Sequence, residues 1–240
     1  MSDWENYKMN MNTSAVQAKN NILSRLKKEV AGADYSKLPQ EPIFAYAKLT
    51  HEQQVAQFVG HLETNHAQVI KVTTQTLFNA VESLLLELKI DALLYGKRGK
   101  YGSLIEQHFE NRTGATTKLI KYDFMLTDNK EKLFDCAPAS ITSSKAAIAA
   151  TGSIVLWPTE EEPRTMSLVP PIHFVIVDVK DIFSDFSTLI EEQAWKNGLP
   201  TNVLLISGPS KTADIQQTLA YGAHGPKELI VLLVDNDNNT

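Results

Sequence analysis

One cysteine, Cys136, occurs in 240 residues. A single thiol excludes an intrachain disulfide framework and a self-contained iron–sulfur site, which needs several cysteine ligands. Cys136 sits in Phe134-Asp135-Cys136-Ala137-Pro138, a stretch without histidine or lysine, and reads as a plain thiol, not an activated nucleophile. The six histidines show no paired metal-ligand spacing: His61 and His66 are five apart, on different helical faces, so no metal site is expected. Positive charge is also scarce. Lys and Arg total 23 against 28 Asp and Glu, a net charge of −5 without a long basic block, so neither nucleic acid nor anionic membrane is an expected partner. No apolar run approaches the roughly 18–20 residues of a spanning helix, and the polar N-terminus lacks a signal-peptide core; the expectation is a cytoplasmic protein without a membrane span.

What is present is an ordinary globular composition, 43% hydrophobic and 21% charged, on a chain long enough to bury a substantial core. Residues 1–11 read as a loose polar tail. Val16, Ile22, Leu23, Leu26 and Val30 predict a helix over 12–30, and Val55, Phe58, Val59 and Leu62 a second over 51–65. Residues 1–66 are therefore expected as a tail and helical extension, and 67–240 as the main domain. There the rhythm changes to strand and helix in alternation. Strands are predicted at 68–72, 92–95, 118–124, 153–157, 172–179, 202–206 and 229–234, and helices at 73–89, 101–111, 182–195 and 212–220. The small residues 146–150 are helix-prone. This alternation implies an α/β fold with a mostly parallel sheet flanked by helices.

Three glycine-bearing turns adjoin apolar runs, and such turns are where α/β proteins build ligand sites. Thr151-Gly152-Ser153 offers two hydroxyls and a glycine amide, or is a tight corner. In Ser207-Gly208-Pro209-Ser210-Lys211-Thr212-Ala213-Asp214, hydroxyls, Lys211 and a helix start expected near Thr212 suit an anion; the plain alternative is a helix cap. Pro209 removes one donor, and Asp214 opposes an anion. In the third turn, His224 beside Gly225 is a candidate for acid/base work. Arg164 follows Glu160-Glu161-Glu162-Pro163 and reads as a solvated pair unless its loop folds over the sheet edge. Gly96-Lys97-Arg98-Gly99-Lys100, after an apolar strand, either brings cations to the same rim or is a flexible basic turn, the plainer reading; His173 reads as a structural histidine.

Together, Ala147 to Val155, Pro163-Arg164, Ser167 to His173, Ser207 to Ile215 and His224-Gly225-Pro226 resemble, in order and spacing, the LUD-domain family of lactate-utilisation protein C. The resemblance covers roughly residues 67–235. It implies a fold similar to glucosamine-6-phosphate deaminase, ribose-5-phosphate isomerase and CoA transferases. It also implies a role in bacterial growth on L-lactate beside partners that carry the iron–sulfur and redox machinery, with no cofactor bound by this chain. The family commonly has Ala-Glu-Thr-Gly-Thr where Ala149-Ala150-Thr151-Gly152-Ser153 stands here, and an acid where Lys145 stands. The expected ligand is a small organic or phosphorylated anion held by Thr151, Gly152, Ser153, Arg164, Ser207, Gly208, Ser210, Lys211, Thr212, Asp214, His224 and Gly225. The sequence leaves open whether the chain catalyses anything. Its alternatives to an accessory role are a free-standing enzyme on a phosphorylated or thioester metabolite and a non-catalytic organic-acid sensor.

Overall fold

The computed structural model of the protein describes residues 3–34, 48–110, 117–123, 130–213, 219–221 and 225–236. Two compact units divide the chain, residues 1–45 and 46–240. The first carries α1 (Asp3–Glu29), whose last turn holds Lys27 and Lys28 at the negative end of the helix dipole. Residues 3–11, expected as a loose tail, belong to this helix, because no proline or glycine interrupts the sequence from Asp3 to Glu29. None of the helices among the described residues is long and apolar enough to cross a membrane.

The second unit runs α2 (His51–Thr64), β1 (Gln68–Val72), α3 (Leu77–Glu87), β2 (Ala92–Gly96), α4 (Gly102–Glu110), β3 (Lys118–Tyr122), α5 (Lys130–Phe134), β4 (Ala139–Ser143), β5 (Ala146–Ile148) and β6 (Ser153–Leu156). It continues with α6 (Arg164–Leu168), β7 (Ile172–Asp178), β8 (Ile182–Phe183), α7 (Phe186–Glu192), β9 (Leu204–Ile206), β10 (Lys211–Ala213), β11 (Leu219–Tyr221) and β12 (Glu228–Val234). Six strands form one sheet in the order β1-β12-β7-β4-β2-β3, with every neighbouring pair parallel. The protein is thus α/β, as the alternating runs imply. Both faces of the sheet are covered. Leu77, Phe78, Val81 and Leu85 of α3 with Ile105 and Phe109 of α4 pack on Phe174, Ile176, Ile230 and Leu232. On the opposite face, Phe58 and Leu62 of α2 pack on Val175, Val177, Val231 and Leu233. α2 is anchored by a reciprocal cap, Gln53 N–H donating to Thr50 Oγ1 (3.3 Å) and Thr50 N–H to Gln53 Oε1 (2.9 Å).

Beside α2 lies a second sheet, β8-β5-β6-β9: β6 and β9 fall on strands expected at 153–157 and 202–206, but their separation from the main sheet is not announced by the sequence pattern. Residues 146–150, read as helix-prone, form β5 and a 3₁₀ turn over Ala149–Thr151. Ala146 and Ala147 are fully buried and pair with Val155 and Ile154, so sheet pairing overrides alanine's helix preference. β9 pairs antiparallel with β6 here instead of joining the main sheet. The helix expected over 182–195 starts only at Phe186: Ile182 and Phe183 extend beside Ala147 and Ile148, and Asp185 caps the helix by accepting from Thr188 N–H at 3.0 Å. The helix expected over 212–220 is corrected likewise. Lys211–Ala213 and Leu219–Tyr221 are antiparallel strands, so Thr212 lies in β10 and opens no helix.

Candidate functional site

Because all six strands of the main sheet run the same way, their C-terminal ends share one edge. β2 leads outward to β3, and the chain then crosses back to β4 and on to β7 and β12. The order therefore reverses between β2 and β4, and the crevice beyond such a reversal is where open α/β sheets hold ligands. A cleft of about 560 Å³ occupies this place. Arg98 and Lys100 reach it from the loop after β2, Ser143 and Lys145 from the end of β4, and Trp157 and Glu162 from the segment after β6.

The charges in the cleft are unequally matched. Lys100 is bound to Asp178 at the end of β7 (2.5 Å), and Arg98 lies 3.6 Å from Glu161. Lys145 has no ion-pair partner among the described residues; its ammonium stands 5.9 Å from the centre of the Trp157 ring. Trp157 is itself held edge-to-face by Trp195 at 5.3 Å. Glu162 accepts hydrogen bonds from the backbone N–H and the hydroxyl of Ser143, both at 2.9 Å. Burial pushes its carboxyl above the usual range, and the two Ser143 bonds and nearby Lys100 only partly offset that.

The glycine-turn residues assemble at the opposite end of β6. Thr151 Oγ1 lies 2.7 Å from Ser153 Oγ, which lies 2.8 Å from Ser207 Oγ, a continuous chain of hydroxyls. Ser207, Gly208, Ser210 and Gly225 line a cavity of about 250 Å³ together with Ser167 and His173. His173 is fully buried; its Nε2 is 2.8 Å from Thr142 Oγ1, and its Nδ1 has no partner among the described residues. Burial drives its pKa down to about 3, so the ring is neutral. Arg164 does not join this group. It is exposed at the start of α6 and lines a shallow groove with Thr142, Glu162 and Ser167. Lys211 is an exposed strand residue. Asp214 and His224 lie outside the described residues.

Gly152 ties the hydroxyl chain to α2. Its φ is +60°, and a Cβ there would stand 2.4 Å from the His61 Cβ. Left-handed backbone and overpacking together should make Gly152→Ala cost about 2–4 kcal/mol, read as a lower urea midpoint; an unchanged midpoint would mean that α2 yields freely at this contact.

The sequence pattern reveals the other end only through its basic turn. Glu162 lies in an acidic run that looks solvated; Arg98 and Lys100 lie in the turn read either as a source of rim cations or as a flexible basic turn, and they line the cleft. The one available signal was position: an apolar strand running straight into Gly-Lys-Arg-Gly-Lys. Lys145 lines the cleft, while Ala150 packs on the Trp195 cluster.

The model of the LUD domain matches residues 55–234. The chain belongs to the LUD-domain family. An uncharacterised protein of Neisseria meningitidis serogroup B is 30% identical over 93% of this chain and 96% of its own length. Lactate utilization protein C 1 of Bacillus mycoides is 28% identical over 78% of this chain and 82% of its own. Among solved structures, a DUF162 family protein from Deinococcus radiodurans superimposes with a TM-score of 0.55 at 19% identity, over 78% of this LUD-domain chain and all of that one. That likeness speaks for the fold.

Proposed function

We propose that this LUD-domain protein is an accessory component of L-lactate utilisation. In this reading it holds a small carboxylate anion in the cleft between β2 and β4, for partner proteins whose iron–sulfur centres take the electrons as L-lactate is oxidised to pyruvate. The observation that carries the reading is Lys145, a cleft-lining cation without an ion-pair partner among the described residues, at the reversal point of the sheet. Lys145 supplies the charge that a carboxylate needs, and Trp157 an apolar wall for a methyl group. The names of relatives such as the Bacillus mycoides protein support the pathway. With Cys136 as its only thiol, the chain has no set of cysteines to ligate a cluster, so cysteine-bound centres belong to partners.

Thermal unfolding with added L-lactate, pyruvate or acetate tests this. A ligand that binds only the folded protein stabilises it by about 2.7 kcal/mol at a hundred times its Kd. The unfolding midpoint should rise with L-lactate in the natural protein and not in Lys145→Glu, while exposed Lys211→Ala should keep the rise. No shift with any of the three anions would sink the carboxylate reading. Turnover of lactate by the chain alone would replace the accessory role with that of a free-standing enzyme.

A further inference from the structure

The two oxygens of Glu162 stand in different settings. Oε2 accepts both hydrogen bonds from Ser143. Oε1 has no hydrogen-bond partner among the described residues and faces Gly99, where a Cβ would stand 2.4 Å from it. Both Gly99 and Glu162 line the cleft. The missing side chain at position 99 is thus what lets the carboxyl sit there.

The charged groups around Glu162 do not settle its state. Lys100, which favours the ionised form, is bound to Asp178; Arg98 faces Glu161, a second acid beside Glu162, and Arg164 lines a neighbouring groove with Glu162. Lys145 borders the same cleft. Among the described residues Glu162 makes no ion pair. An ionised Glu162 would repel an incoming carboxylate, whereas a neutral one would offer it a hydrogen bond. Since Oε2 is already occupied by two donors, the proton belongs on Oε1.

We propose that Glu162 takes part in anion binding as the neutral acid, donating its Oε1–H to the bound carboxylate, so that binding takes up one proton wherever Glu162 of the free protein is ionised. This rests on the carboxylate reading of the cleft. Burial of Glu162, which already favours its protonated form, acts in the same direction. The atoms balance simply: a solvent proton joins Oε1, and the ligand remains an anion.

Titration calorimetry with L-lactate, run in two buffers of different ionisation enthalpy from pH 5 to 8, reads both affinity and proton uptake. The natural protein should lose affinity about tenfold per pH unit once Glu162 ionises, with close to one proton taken up per lactate there. Glu162→Gln, which keeps the acceptor for Ser143 and a permanent donor, should bind with flat affinity and no uptake. Ser143→Ala removes one bond that favours the ionised form, so it should move the fall in affinity to higher pH; it carries the test if Glu162→Gln does not fold. Lactate binding with flat affinity and no uptake in the natural protein, or the same uptake in Glu162→Gln, overturns the role of Glu162 and leaves the carboxylate site standing. No lactate binding at any pH removes the site and this inference with it.

Discussion

Phe58→Ala should remove about 3–5 kcal/mol of folding stability, the usual range for deleting a fully buried phenylalanine. Phe58 is 0% exposed and sits where three elements meet. It shares a cluster with Leu62 of its own helix, Val175 and Val231 of the main sheet, and Ile154 of the second. Shrinking it leaves a cavity with walls on both sheets, and neither sheet can close it without shifting the other. The loss should appear in urea titration as a lower midpoint, with Leu86→Ala (57% exposed) as the control that changes little. A loss under about 1 kcal/mol would show that α2 is dispensable packing and not part of the core. α2 also meets the Thr151–Ser153–Ser207 chain through His61 and Gly152, so loosening it should disturb that end of the molecule first, before the cleft between β2 and β4.

Legibility in the sequence followed burial. β7 and β12 are continuous apolar runs closed by polar residues, and such runs state their own burial. β4 is as central, yet reads Ala-Ser-Ile-Thr-Ser and gives no such signal. Its hydroxyls are tolerated because partners from distant sequence satisfy them, Ser140 donating to the Met166 carbonyl and Thr142 pairing with His173. No local pattern contains that information. The second sheet was hidden for a related reason: its strands are short, and Ala146–Ile148 acquires strand geometry only from Val155–Ser153 across the ladder. At the candidate sites, the motif residues Ser153 and Ser207 do meet, 54 positions apart. Glu162 and Lys145 were invisible as a pair because their shared cleft exists only once the chain has crossed back from β3 to β4.

Acid should destabilise this protein through His173 well before its buried ring takes a proton. The ring is fully buried and its pKa lies at about 3, against 6.5 in the unfolded chain. Between these values the unfolded state binds a proton that the folded state refuses, so stability falls as pH falls. The contribution is fully present above pH 6.5 and is lost progressively toward pH 3. At pH 4.5, two units below the unfolded value, the loss is roughly 2–3 kcal/mol. Glu162 works in the opposite sense: its raised pKa favours folding below the usual carboxylate value of 4.5, an advantage lost as pH rises through the folded value. Urea titrations of the natural protein and His173→Gln at pH 7.0 and 4.5 separate the histidine from every other titrating group, because only that residue differs. The variant is expected to be less stable at pH 7.0, since Thr142 loses its ring partner, but to lose roughly 2–3 kcal/mol less on acidification. Equal losses in the two proteins would mean that His173 gains a proton in the fold as readily as in the open chain. If the variant does not fold, ring-nitrogen NMR of the natural protein decides the same question: a neutral imidazole at pH 5 is the expected state, and a charged one would require the unpartnered Nδ1 to find an acceptor.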